Sequence, residues 1–204
     1  MPFFDHAGHR LHYEESGFGT PVLLVHGLGS STRDWEYQVP ELEKRHRVIA
    51  LDVRGHGQSD KPRQRYSIGA FAEDVIALLD HLSLGRVHLV GISMGGMIGF
   101  ELATRWPERL DSLTIVNSAP EVKPRSLREY LEVARRLFLA HVLGLDTVGK
   151  ALGRMLFPKP EQSALRHKIQ QRWPQNDKRA YLSSLHAIIG WGVQERLARI
   201  TCPT

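Results

Sequence analysis

Cysteine is almost missing from this chain. Cys202 is the single one in 204 residues, so no intramolecular disulfide holds the fold together. Long apolar runs are missing too: none approaches the about 18 residues needed to cross a bilayer as a helix. The opening Met1-Pro2-Phe3-Phe4-Asp5-His6 has neither the basic start nor the apolar stretch of a secretory leader. These absences predict a soluble, cytoplasmic protein with no membrane span. Neither G-x-G-x-x-G nor G-x-x-x-x-G-K-[ST] occurs, which removes the usual dinucleotide and nucleotide-phosphate cradles. No internal repeat or low-complexity run is found.

Charge is present but divided. Residues 120–204 hold 15 Lys+Arg against 7 Asp+Glu, whereas residues 1–119 hold 12 against 15. The basic residues of the second part are spread over helical patterns and are not interleaved with aromatics, so a nucleic-acid partner is not expected. A basic half favours anionic substrates or serves solubility alone. At 42% hydrophobic residues the chain is long enough to bury a sizeable core as one domain with an insertion.

What is present is concentrated in three short segments. Gly91-Ile92-Ser93-Met94-Gly95 lies between the apolar run Val87-His88-Leu89-Val90 and the helical pattern of residues 97–103. A G-x-S-x-G between strand and helix forces the central serine into a strained backbone, with glycines either side so that the two elements pass without Cβ clashes. The hydroxyl of Ser93 then projects where the helix N-terminus points its free N–H groups. The bare motif arises by chance in roughly one chain in twenty of this length. A second segment supports it: the apolar run Pro21-Val22-Leu23-Leu24-Val25 leads into His26-Gly27-Leu28-Gly29. A tetrahedral oxyanion needs two preorganised donors, and the backbone N–H groups of Leu28 and Met94 are the candidates, with His26, Gly27, Gly29, Gly91 and Gly95 supporting them. The alternative for the second segment is a plain strand-ending turn. In the third segment, Asp52-Val53-Arg54-Gly55-His56-Gly57-Gln58-Ser59, Asp52 accepts N–H groups from the glycine loop and is structural; His56 is a loop hydrogen-bonder.

These three segments, in this order and spacing, resemble the α/β-hydrolase superfamily, in its branch of esterases, lactonases, carbon–carbon hydrolases and cofactor-free haloperoxidases. The resemblance covers residues 1–119 well and the remainder in outline. It implies a serine nucleophile at Ser93 and argues against the relatives that carry Asp at that position. It further implies acyl transfer on a small-molecule substrate with no metal or organic cofactor. The superfamily orders its triad as Ser, acid, His along the chain, and a segment such as Ile200-Thr201-Cys202-Pro203-Thr204 leads there into a seventh strand. The acid and the histidine are therefore expected beyond Thr204, and the last strands are expected to be missing from these 204 residues. Among internal substitutes, Glu121 is the better acid candidate, while His141, His167 and His186 sit in helical, basic surroundings. Asn117 and Ser118 are expected at the site floor.

The periodicities predict strands over 3–6, 10–14, 21–25, 48–51, 86–92 and 113–117. Helices are predicted over 34–44, capped by Asp34, over 67–82, capped by Ser67, and over 94–105. Strand–helix alternation argues for a mostly parallel sheet flanked by helices, an α/β fold. After residue 119 the alternation stops. Helical patterns at 126–145, 146–156, 161–173 and 177–196 predict a helical cap over 120–198, inserted after the sixth strand, before a return to the core at 199–204. Trp191 and Leu139 are the candidates for pocket lining. The competing readings are a carbon–carbon bond hydrolase, a perhydrolase or haloperoxidase, and, in another class, a catalytically inactive fragment that binds partners. A homo-oligomer is left open.

Overall fold

Strand residues of alternate parity reach opposite faces of a sheet, and here both faces are covered. The computed structural model describes residues 2–204, apart from the side chains of Arg136 and Leu139. Six strands, β1 (Phe3–His6), β2 (His9–Ser16), β3 (Thr20–Val25), β4 (His46–Leu51), β5 (Val87–Ile92) and β6 (Leu110–Val116), form one sheet in the order β1-β2-β4-β3-β5-β6. The first two pairings are antiparallel; β4–β3, β3–β5 and β5–β6 are parallel. Leu23 and Val25 of β3 face the larger core, whereas Val22 and Leu24 face a smaller cluster under Trp35.

Two helices cover the larger core. In α2 (Ile68–His81), Phe71, Val75, Leu78 and Leu79 fall on one stripe and are fully buried, each contributing about 1.5–3 kcal/mol. Ser67 caps α2, its hydroxyl accepting from the Ala70 amide at 3.0 Å. In α3 (Met94–Arg105), Ile98 and Leu102 complete the layer. This is the mostly parallel sheet flanked by helices that the strand–helix alternation predicts.

Three expected helices are not built as expected. The predicted helix over 34–44 is instead a 3-10 turn, Thr32–Trp35, capped by Ser31 rather than Asp34, followed by the single turn α1 (Val39–Leu42). Pro40 has no N–H, so no helix can run through it from residue 36. The predicted helix over 177–196 ends at Ile188. Gly190 takes φ 83° there, and the chain turns to pair with 120–122: Val122 N donates to Trp191 O and Gly190 N to Val122 O, both at 2.8 Å.

The other helices after β6 are α4 (Leu127–Phe138), α5 (Gly144–Leu156), α6 (Ser163–Arg172) and α7 (Lys178–Ile188). A π-helical turn, Leu139–Leu143, joins α4 to α5, so the predicted 126–145 helix is interrupted. The last residues run beside β6, where Leu113 N donates to Pro203 O at 2.9 Å. No helix among the described residues is long and apolar enough to cross a membrane.

Candidate functional site

Three strand ends, those of β3, β4 and β5, meet around Ser93. At the end of β5 the chain turns into α3 through one residue: Ser93 holds φ 52° and ψ −114°, a backbone region that costs a non-glycine residue of order 1–3 kcal/mol. The turn is fixed from both sides. Ser93 N donates to Val116 O of β6 at 2.9 Å, and Gly96 N and Met97 N donate to Ser93 O. The Ser118 hydroxyl donates to the same oxygen at 2.7 Å. The flanking glycines are required by close approach: a Cβ on Gly91 would lie 2.3 Å from Gly95 O, and one on Gly95 2.0 Å from Val25 O.

The loop after β3 sits against this serine. A Cβ on Gly27 would be 3.5 Å from Ser93 Cβ and 4.0 Å from its Oγ, so Gly27 borders the serine side chain. Ser30 N donates to Gly27 O at 3.3 Å and Gly29 adopts φ 74°, which makes residues 27–30 a tight turn with glycine at its left-handed position. The Leu28 amide has no partner among the described residues, and Met94 N–H opens α3, where the first turn has no intrahelical acceptor. Both residues are buried. The Ser93 hydroxyl is half-buried, with Gly27 against its side chain and Met94 next in the chain.

The loop after β4 holds this arrangement from below. Asp52 is buried and accepts from Thr32 N at 2.7 Å, Gln58 N at 2.9 Å and His12 Nδ1 at 2.9 Å. A Cβ on Gly57 would run into its carboxylate. Arg54 donates through Nε to Asp74 Oδ2 at 2.6 Å; burial pushes the Asp74 carboxyl up against the opposing pull of Arg54. His56 is fully buried, with Nδ1 on Arg54 O at 3.1 Å and Nε2 unpaired. Burial, with the His26 ring 5.1 Å away, lowers its pKa to about 3. It is a neutral packing group.

The other candidates fall elsewhere. Asn117 takes φ 46° after β6 and is exposed, whereas Ser118 is half-buried against Ser93. Glu121 is engaged by Arg125 and, at 3.9 Å, by Lys123. His141 and His186 pack ring to ring at 5.8 Å, and His167 meets Gln171 on α6 at 2.8 Å. Among the described residues, no imidazole or carboxylate is hydrogen-bonded to the Ser93 hydroxyl. Trp191 donates its indole N–H to Glu101 at 3.1 Å and lines a cleft of about 520 Å³ with Tyr66, His186 and Arg196. Ser93, Leu28 and Met94 are not part of that lining. The side chain of Leu139 lies outside the described residues. No group of three His, Cys, Asp or Glu side chains among the described residues is arranged to hold a metal ion.

Three residues that sequence patterns did not single out reach the turn from the helical region. A Cβ on Gly29 would lie 2.7 Å from Trp173 Cζ2 and 2.9 Å from Tyr181 Cε2. Asn176 Nδ2 donates to Gly29 O at 2.8 Å. Outside them, Lys168 and Arg172 pair with Glu36 at 2.8 and 2.9 Å, and the Arg172 hydrogen bond holds the Glu36 carboxyl below its ordinary range. No local sequence pattern reports a contact between residues 147 apart.

Comparison with known proteins agrees with this architecture. A family model described as alpha/beta hydrolase fold matches residues 20–194. A putative carbamate hydrolase RutD of Azorhizobium caulinodans is 33% identical over 209 residues, covering 100% of this chain and 78% of that protein. The acetyltransferase component of an acetoin cleaving system from Pseudomonas putida is 46% identical over 101 residues, 50% of this chain. That match covers only 27% of the Pseudomonas protein. Among solved structures, the enol-lactonase from Burkholderia xenovorans LB400 superposes with TM-score 0.88 at 27% identity, covering 99% of this chain and 78% of that one.

Proposed function

The chain belongs to the alpha/beta hydrolase fold family, and from that premise we propose that it acts as a serine hydrolase on a carboxylic ester, lactone or related acyl substrate. One observation carries this reading: Ser93, at φ 52° between β5 and α3, stands against Gly27, the residue before Leu28. Among the compared proteins, one is named an enol-lactonase and one a putative carbamate hydrolase, and a lactone and a carbamate each present a carbonyl carbon, which supports the reaction type.

In the proposed reaction, Ser93 Oγ adds to the carbonyl carbon while its proton passes to a base. The carbonyl oxygen becomes an oxyanion held by the N–H groups of Leu28 and Met94, a kind of contact worth about 2.7–4 kcal/mol per donor. Collapse expels the protonated leaving group and leaves an acyl-serine. Water then adds, and the acid departs as Ser93 recovers its proton. None of the described histidines is bonded to Ser93, and the RutD and enol-lactonase relatives are longer than this chain. These two observations support assigning the base and its carboxylate to polypeptide other than residues 1–204. Helices α4–α7 act as a cap that shapes the acyl pocket and excludes water, a role supported by Trp173, Asn176 and Tyr181 on the Gly29 turn.

Turnover of p-nitrophenyl acetate and butyrate, compared with Ser93→Ala, tests the proposal. Weak turnover by residues 1–204 that vanishes in Ser93→Ala is expected, because an unassisted serine retains only oxyanion stabilisation and binding, about 10³–10⁴-fold over water. Turnover unchanged by Ser93→Ala would overturn it.

A further inference from the structure

His26 is buried, stands next to the turn that carries the Leu28 amide, and makes two hydrogen bonds of opposite sense. The Val53 amide donates to its Nε2 at 3.2 Å. A backbone N–H can only donate, so Nε2 is the lone-pair nitrogen and the ring proton sits on Nδ1. That proton points at Gly27 O, 2.8 Å away. Gly27 O and the Leu28 N–H belong to one peptide group. No peptide bond among the described residues is cis, so the oxygen and the N–H point in opposite directions. Fixing the oxygen therefore fixes the direction of the amide.

From this we infer that His26 is a positioning residue: its Nδ1–H, held in that tautomer by Val53, aims the Leu28 N–H at the Ser93 carbonyl site. The inference rests on the hydrolase reading and extends it, because it names the group that preorganises one of the two oxyanion donors. Ser30 N also reaches Gly27 O, but at 3.3 Å, so the imidazole is the shorter restraint. The opposite face of the turn is held separately by Asn176 on Gly29 O. His26 therefore acts on the first peptide of the turn and the cap on the third. Electrostatic stabilisation of this kind depends on donors that are already in place when charge develops, so a turn that loses its hold on Gly27 O loses rate more than affinity.

Two substitutions divide the bonds of His26. In His26→Asn the amide N–H₂ occupies the place of Nδ1 and still donates to Gly27 O, while the acceptor for Val53 is gone. In His26→Gln the carbonyl reaches the place of Nε2 and accepts from Val53, while the donor to Gly27 is gone. Each variant loses one buried bond, so similar thermal destabilisation is expected. Their kinetics are expected to differ: His26→Gln lowers Ser93-dependent kcat by about a hundredfold with KM nearly unchanged, and His26→Asn recovers most of that loss. Nitrogen NMR of the wild-type ring is expected to show the proton on Nδ1. The Leu28 amide resonance is expected to move in His26→Gln and to stay near its wild-type position in His26→Asn. A ring protonated on Nε2 overturns the inference, as do equal effects of both variants on kcat and on the Leu28 amide. If the wild-type protein shows no Ser93-dependent turnover, the hydrolase reading fails by itself, and the tautomer and the Leu28 resonance still decide the role of His26.

Discussion

Replacing Gly95 by Ala probes how the serine turn is held against the neighbouring strand. The added Cβ would stand 2.0 Å from Val25 O and 2.8 Å from His26 O. Both are backbone atoms at the end of β3, in a strand paired on both sides. They cannot rotate away as a side chain would, so α3 must shift by about an ångström to restore ordinary contact in an interior packed at near-crystalline density. Alanine gains about 1 kcal/mol of helix propensity over glycine, which offsets part of the cost. Overpacking costs about 1–3 kcal/mol where side chains can yield and more where only backbone can, so a net loss of about 2–4 kcal/mol is expected. The same shift moves Ser93 and Met94 N–H away from Leu28 N–H, and a misplacement of about 1 Å costs on the order of a hundredfold in rate. Gly99→Ala in the same helix is the control. Its Cβ would meet Leu113 Cδ1 at 2.8 Å and Leu89 Cδ2 at 3.0 Å, the ends of flexible side chains, so a change within about 1 kcal/mol is expected. Urea unfolding and the rate of fluorophosphonate labelling, measured on both variants, decide the matter. Gly95→Ala matching wild type in midpoint and labelling rate would refute the reasoning.

Other perturbations follow from the same geometry. His56 is held down to about 3 by burial and by His26, whereas the unfolded chain titrates near 6.5. The unfolded state therefore binds the extra proton between those values: the contribution is complete above about pH 6.5 and is lost as pH falls toward 3, the loss reaching about 3 kcal/mol by pH 4. Denaturant midpoints at pH 7, 5 and 4 should fall less steeply in His56→Gln, and equal slopes would contradict the assignment. Asp52→Ala leaves the donors of Thr32, Gln58 and His12 without their carboxylate and should cost about 3–5 kcal/mol. The site of fluorophosphonate attachment should not change, and a shifted site with intact stability would make Asp52 more than structural.

The sequence is legible where its signal is local. Glycines two residues either side of Ser93, between an apolar run and a helical pattern, announce the turn because only glycine tolerates the 2.0–2.3 Å approaches found there. Three motifs mark the ends of β3, β4 and β5. Signals that depend on distant partners are not legible. Trp173, Asn176 and Tyr181 read as ordinary helix residues until the fold brings them to Gly29. Trp191 does line a cleft, with Tyr66, His186 and Arg196 and not with Ser93, and the indole bond to Glu101 that places it there has no local signal. Pro40 is a local signal that periodicity over 34–44 outweighed, although a residue without an N–H sets where that helix can start.

The central claim is that Ser93 is the nucleophile. It is tested by reacting the full-length protein, which carries the base that activates Ser93, with a fluorophosphonate and locating the adduct by peptide mass. A single phosphonyl group is expected on the peptide containing Ser93, absent from Ser93→Ala. An adduct on another serine, or none on protein that hydrolyses p-nitrophenyl acetate, would contradict it.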